Sequence, residues 1–381
     1  MNIAILIPSL GGGGAERVAQ RIGDYYISKE ENVFYFLGDF NIKQAYAIKG
    51  KIINTKIKPI DLSNNYGMMF TIYNIFRNAL FLRKLKKKYH IDVSISFMED
   101  FNYLNVISRA DDRVIVRVCT VLSERSDLSG LLYQRKWIKR IYSRADKVVV
   151  MSNFGFHEMR DIYEIPEKKL AIIPNPISLP AVQYDEEVNW NYGTCPVIFV
   201  GRLDPVKQPD RILRAFRFVA ERNSEARLLM VGKGRLVGYL KSLCRRYNLE
   251  NRVVFTGFKK DTTYLLKKAK VFVMASKVEG FPNAMIEAMS FGVPVVAVNS
   301  PGGIADILKD GEYGILTPPM PKEKIDINAP LTDGEIAMGK AILSVLEDKA
   351  LYGELQKKSL MRSKDFETNK IMKLWNEIIE D

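Results

Sequence analysis

Short runs of β-branched and aromatic residues alternate with amphipathic stretches along most of the chain. In the first half the apolar runs are NIAILIP, VFYFLG, VSISF at 93–97, RVIVRV at 113–118, KVVVMS and LAIIPNP, and a helical pattern begins near Glu16. Such runs predict strands, and their alternation with helix-period segments predicts a parallel, doubly wound sheet.

Beyond Pro180 the pattern breaks. The segment SLPAVQYDEEVNWNYGTCP is polar, acidic and flanked by proline, and over most of its length it has neither period, which places a linker at about 178–193. A second alternation follows: PVIFVGRL, helix 209–222, ARLLMVG, helix 235–247, RVVFTG, helix 262–268, VFVMAS, helix 283–291 and VPVVAV. After GILTPP the chain, from about 335 to 381, is helical in pattern. These patterns predict two α/β domains of Rossmann-like construction, 1–178 and 194–361, with a helix at about 362–381 packing back on the first. The length of 381 residues also exceeds what one core of usual size needs.

Composition narrows the class. Hydrophobic residues make up 47% of the chain, enough for a substantial core. Cys119, Cys195 and Cys244 are far apart and form neither a CxxC pair nor a His/Cys cluster, so a reducing cytosol fits better than a disulfide framework or zinc site. The start, MNIAILIPSLGGGG, lacks a basic region and cleavage pattern and reads as a first strand. No stretch reaches the roughly 18 to 20 apolar residues that span a bilayer. A formal charge of +13 implies an anionic partner without choosing among nucleic acid, lipid head groups and phosphorylated substrates.

The densest candidate chemistry lies at Glu279-Gly-Phe-Pro-Asn-Ala-Met-Ile-Glu287, between the strand VFVMAS and a helix. A strand-to-helix turn at the carboxyl edge of a parallel sheet is where doubly wound folds bind ligands, and a diphosphate suits its outward N–H groups. Glu287 there can accept two ribose hydroxyls and Glu279 can do the same for a sugar. Gly201-Arg-Leu-Asp-Pro-Val-Lys207 leaves another strand of the same sheet and brings Arg202 and Lys207 to that edge. Each piece alone fits an ordinary helix turn or a solvated basic face; their coincidence favours a site. No DxD pattern is present: Asp111-Asp112 are adjacent and Asp185-Glu186-Glu187 lie in the linker. Cationic side chains are therefore expected to stabilise a leaving diphosphate without a metal or other cofactor.

GRLDPVKQPDRILRAF, LLMVGKG, RVVFTGF and EGFPNAMIEAMSFGVPVVAVNSPGGIADIL together resemble the donor domain of retaining glycosyltransferases of family 4, over about 195–320. The resemblance implies a GT-B fold, two Rossmann-like domains facing across a cleft. It makes Glu287 the ribose ligand, Glu279 the sugar ligand and Arg202 with Lys207 the diphosphate ligands. It also implies that Phe258 lies where the base is received and that Gly280, Phe281, Pro282 and Asn283 line sugar and phosphate.

In the first half, Gly11 to Gly14 join the first strand to the first helix, without the spaced GxGxxG of dinucleotide binders. The resemblance brings Gly12 and Gly13 near the donor phosphates, with Glu16 beside the acceptor; a merely permissive connection is the plain alternative. Many family members carry a histidine in this domain that aids transfer, whereas this chain has only His90 and His157, in other contexts. At the comparable place stands Leu122-Ser123-Glu124-Arg125-Ser126-Asp127, similar to a segment of polysaccharide-assembly members. Glu124 or Arg125 is then an acceptor-side candidate, with capping or salt bridging as the alternative.

Residues 68–90 hold no acid and six bases (Arg77, Arg83, Lys84, Lys86, Lys87, Lys88) beside Met69, Phe70, Ile72, Phe76, Leu80 and Phe81. Residues 131–144 add Arg135, Lys136, Lys139, Arg140 and Arg144 around Trp137. Basic-aromatic patches of this kind favour the anionic face of a membrane, against the alternative of core stripes with solvated bases. The expectation is a cytoplasmic hexosyltransferase, peripheral on the inner membrane face. It would move a hexose or N-acetylhexosamine from a nucleotide-diphosphate sugar, with UDP preferred, to a lipid-linked saccharide in surface-polysaccharide assembly, with retention. A soluble glycan acceptor is the alternative. An NAD-dependent oxidoreductase fits less well because the glycine fingerprint is missing, and no nucleic-acid-binding motif supports that partner.

Overall fold

In the computed structural model the described residues are 1–38, 48–58, 68–124, 134–177, 193–323, 326 and 329–380, with side chains of 68–71 excepted. They form two compact units: Met1–Ser178 with Thr368–Asp381, and Leu179–Glu367.

The first unit holds strands β1 (Asn2–Ile7), β2 (Asn32–Leu37), β3 (Lys51–Asn54), β4 (Val93–Phe97), β5 (Arg113–Arg117), β6 (Lys147–Val150) and β7 (Leu170–Ile172). Its helices are α1 (Gly14–Ser28), α2 (Met68–Lys88), α3 (Glu99–Ile107), α4 (Arg135–Tyr142) and the short α5 (Asn153–His157). The second unit holds β8 (Cys195–Val200), β9 (Ala226–Val231), β10 (Val253–Gly257), β11 (Val271–Met274), β12 (Val295–Val298) and β13 (Ile315–Thr317). Around them lie α6 (Pro209–Ala220), α7 (Val237–Arg246), α8 (Thr263–Lys268), α9 (Asn283–Ser290), α10 (Ile304–Leu308), α11 (Asp333–Glu347) and α12 (Lys349–Ser363). The last helix, α13 (Thr368–Glu380), belongs to the first unit.

Both sheets are parallel among the described residues, in the orders β3-β2-β1-β4-β5-β6-β7 and β10-β9-β8-β11-β12-β13. Helices on both faces bury the central strands from two sides, so β4 reads VSISF with every residue buried. Strand order reverses between β1 and β4 and between β8 and β11, and at such reversals the connections diverge and leave room for a ligand. The short edge strand β3, half-exposed, pairs with β2 from Phe34 opposite Lys51 to Leu37 opposite Asn54. The apolar pattern passes over it because an exposed four-residue edge strand needs no continuous apolar run.

Three polar devices fix local structure. Thr332 and Glu335 form a reciprocal capping box at the start of α11. Glu335 is wholly buried, and its Oε1 accepts from Arg211 Nη1 and Arg214 Nε of α6, each at 2.9 Å. The same guanidinium groups donate to the Glu323, Ala329 and Pro330 carbonyls. In the first unit, Trp375 of α13 is buried over the β1 side of the sheet, with the Arg117 guanidinium 5.4 Å from its ring centroid.

The third device corrects the basic stretch 68–90. Lys86 is not a surface cation: it falls on the inward side of α2 with Ile75, Ala79 and Leu82, and is buried. Its Nζ donates to Asp112 Oδ2 at 2.8 Å and Asn105 Oδ1 at 2.7 Å, and Ser94 Oγ completes the cluster. Burial pushes the Lys86 ammonium down to about 8, against the attraction of Asp112. The stretch 131–144 is partly engaged within the first unit. Arg135 and Lys139 both pair with Glu164 while staying about half exposed, and Trp137 packs in part against the core. Residues 131–133 of it, like almost all of the linker, lie outside the described residues.

Candidate active site

The connections after β8 and β11, at the reversal of strand order, carry Arg202, Lys207 and Glu279 among the candidate donor residues of the second unit. From β8 the chain runs through Gly201 and Arg202 to a single 3-10 turn, Pro205–Lys207, and then into α6. From β11 it runs through Ser276 and Glu279 to α9. The two connections are tied together: Lys277 N donates to the Val206 carbonyl at 2.8 Å. Through this tie Lys207 Nζ meets Glu279 Oε2, which also accepts from Ser276 Oγ at 3.1 Å. Residues separated by 72 positions thus form an ion pair at the sheet's carboxyl edge.

Glu279 is held by its backbone too. Its N–H donates to the Pro301 carbonyl at 3.1 Å, and its own carbonyl accepts from Gly303 N at 2.9 Å. A Cβ at Gly303 would come within 2.8 Å of the Gly280 carbonyl oxygen, so only glycine permits the approach. Ser276 and the Pro301–Gly303 loop are absent from the site read in the sequence, although SPGG was visible in it. Glycine pairs after a strand are common turns, and nothing in spacing links one to a glutamate over 20 residues earlier.

Arg202 is placed on the same connection as Lys207 and is mostly exposed, with Nη1 donating to Asp204 Oδ2 at 3.1 Å. Asp204 in turn accepts from Arg235 N through Oδ1 at 3.2 Å. Glu287 is the fifth residue of α9 and half-buried. Phe258 follows β10, is exposed, and has Lys233 Nζ 5.5 Å from its ring centroid. The Phe281 ring is buried against Phe366, with centroids 5.6 Å apart, so only its main chain remains for a ligand. Pro282 is the N-cap of α9 and has no N–H to offer, so any main-chain donors in 280–283 come from its neighbours.

In the first unit, Gly12 takes φ +107° in the loop after β1 and Gly13 caps α1. The carboxylate of Glu16 is turned back on this loop: Oε1 accepts from Ser9 Oγ at 2.6 Å and Oε2 from Gly13 N. Glu16 therefore shapes the glycine loop rather than reaching out of it. After β5, Leu122 is buried, Ser123 exposed and Glu124 half-buried. Arg125 lies outside the described residues.

The model of glycosyltransferase family 4 matches residues 12–179, and that of glycosyl transferases group 1 matches 184–328. An uncharacterized glycosyltransferase of Methanocaldococcus jannaschii is 30% identical over 367 residues, 87% of this chain and 90% of its own. This chain belongs to glycosyltransferase family 4. A second relative of this family 4 glycosyltransferase, from Campylobacter jejuni, is 26% identical over 97% of both chains. It is named N-acetylgalactosamine-N,N'-diacetylbacillosaminyl-diphospho-undecaprenol 4-alpha-N-acetylgalactosaminyltransferase. Among solved structures, Anabaena HepE in complex with UDP superposes with a TM-score of 0.78 at 18% identity, covering 100% of both chains. The fold is GT-B, with two Rossmann-like domains.

Proposed function

We propose that this family 4 enzyme transfers a hexose or N-acetylhexosamine from a UDP-sugar to a lipid-linked saccharide, retaining the donor's anomeric configuration and using no divalent metal. The observation that carries the reading is the Lys207–Glu279 pair at the β8/β11 reversal, with Arg202 on the same connection. In this reading the second unit binds the donor and the first the acceptor. The C1–O bond to the diphosphate breaks as the acceptor oxygen bonds to C1 on the same face, and the acceptor proton passes to the departing diphosphate oxygen. Lys207 and Arg202 stabilise the charge that develops there, while Glu279 and Glu287 hold sugar and ribose hydroxyls. The Campylobacter relative supports the lipid-linked acceptor by its name, and the HepE complex supports UDP.

Unfolding in EDTA with a panel of nucleotide sugars tests the donor. A true donor at 100 times its Kd adds about 2.7 kcal/mol of stability. The same donor, with undecaprenyl-diphosphate-linked N-acetylhexosamine in detergent, should give a product of unchanged anomeric configuration by NMR. Inversion, or activity that disappears in EDTA and returns with magnesium, sinks the corresponding part of the reading.

The acceptor's lipid calls for a membrane surface, and α2 supplies one in this reading. Among the described residues no helix is long and apolar enough to cross a membrane. The outward face of α2 exposes Tyr73 (61%), Phe76 (57%) and Leu80 (61%), followed by Arg83, Lys84, Lys87 and Lys88. Apolar residues at helical spacing beside cations suit the interface of an anionic bilayer on the cytoplasmic side. Replacing Lys84, Lys87 and Lys88 by glutamine removes about 1 kcal/mol each, so binding to phosphatidylglycerol vesicles is expected to weaken about 100-fold. Unchanged flotation with vesicles, together with full activity on a water-soluble glycan, favours the soluble acceptor.

A further inference from the structure

The turn after β5 is held from an element that the site described above does not include. Glu158 follows α5 and opens a π-helical turn, Glu158–Ile162, in which Tyr163 N donates to the Glu158 carbonyl at 3.2 Å. Widened turns of this kind are rare and gather at functional sites. The Glu158 side chain is buried, and its Oε1 accepts from Ser123 N at 2.6 Å. A buried carboxylate thus grips the backbone of an exposed residue.

Stability alone gives no reason for it. Glu158 Oε2 is also buried and has no hydrogen-bond partner among the described residues. A buried carboxylate with one oxygen unpaired and no cation beside it is costly to desolvate, and an apolar residue here would spare that cost. Burial pushes the Glu158 carboxyl up from its ordinary value, opposed by the hydrogen bonds of the 122–123 turn and assisted by Glu124. No cation of the described residues pairs with it, and Tyr163, whose hydroxyl is pushed up by burial and by Glu158, is the other titratable group beside it. What Glu158 does secure is place. Val121 and Leu122 are buried beneath the turn, and Glu158 fixes the next peptide, so Ser123 and Glu124 emerge in one orientation at the carboxyl end of β5.

We propose that Glu158 is a positioning residue for the acceptor, acting through the Ser123–Glu124 turn. The inference rests on the proposed function, in which the first unit binds the acceptor, taken with Glu124 as its acceptor-side candidate, and adds the residue that sets the geometry of that turn. An oriented contact lowers the acceptor's KM because the turn does not have to be ordered when the acceptor binds.

The test compares Glu158→Ala, Glu158→Asp and Glu158→Gln with Glu124→Ala, using undecaprenyl-diphosphate-linked N-acetylhexosamine and the donor found by the unfolding screen. Alanine removes the grip and aspartate withdraws it by one methylene; both are expected to raise acceptor KM about 10-fold. Donor KM and the slow hydrolysis of donor without acceptor should stay within twofold. Glutamine keeps an acceptor oxygen for Ser123 N and should restore the wild-type acceptor KM. Should the alanine variant fail to fold, the aspartate and glutamine pair carries the comparison. Donor hydrolysis falling in step with transfer, or an unchanged acceptor KM in the aspartate variant, overturns the proposal. If Glu124→Ala and Glu158→Asp both leave acceptor KM unchanged, the acceptor reading of the turn fails as well. If only Glu124→Ala raises it, that reading stands and Glu158 does not position the turn.

Discussion

Replacing Lys207 by alanine is expected to lower kcat by about 10² to 10³ while the protein remains folded. Its ammonium is brought to the sheet edge by the turn Pro205–Lys207 and aimed by the pair with Glu279. In the proposed reaction it faces charge that grows as the diphosphate departs, so its loss is felt in the transition state more than in ground-state binding. The change should appear in kcat and kcat/KM alike, with a smaller rise in donor KM. Lys207→Arg is not expected to restore the rate, because a planar guanidinium is larger and differently hydrated than an ammonium. The pair is mostly buried, so some stability goes with Lys207, but Glu279 keeps Ser276 Oγ as a donor and the fall in unfolding temperature should stay modest. A Lys207→Ala enzyme within threefold of wild-type kcat would falsify the assignment. Loss of rate accompanied by a large fall in unfolding temperature would make the residue structural.

The largest expected effect on stability lies far from the chemistry. Glu335→Ala leaves the guanidinium groups of Arg211 and Arg214 buried without their shared carboxylate. Breaking one side of a buried pair costs about 3–5 kcal/mol, much of it the desolvation of the group left behind. The substitution also removes the half of the capping box in which Thr332 N donates to Glu335, a hydrogen bond worth about 1 kcal/mol, while Thr332 Oγ1 still caps α11. Denaturant unfolding should show the transition of the second unit moved to lower denaturant. Glu335→Gln, which keeps an acceptor oxygen, should lose less. Equal stability of wild type and Glu335→Ala would mean that water or a neighbouring carbonyl satisfies both arginines without Glu335.

The β-strands were the most legible part of the fold. Parallel strands covered on both faces are nearly continuous apolar runs, so VSISF, KVVVMS, VFVMAS and VPVVAV stand out against amphipathic neighbours. The edge strand Lys51–Asn54 carries no such run because it is half-exposed. The burial of Lys86 had a visible signal: it continues the spacing of Ile75, Ala79 and Leu82. Its basic neighbours obscured that signal, since composition does not reveal which way each cation points. The pairing of Arg135 and Lys139 with Glu164 had none, because the acid lies 25 residues or more along the chain.

By itself, then, the sequence determined the two-domain α/β class, the family resemblance and the residue types at the donor edge. These are local matters, set by apolar period, turn chemistry and short motifs. Only the tertiary structure decided that Lys207 meets Glu279, that Glu16 folds back on its glycine loop, that Lys86 is withdrawn from the surface and that Glu158 grips Ser123. Each of these depends on which strand ends become neighbours and on where a buried charge finds its partner. Strand order and desolvation fix both, and neither is written in the spacing of residues along the chain.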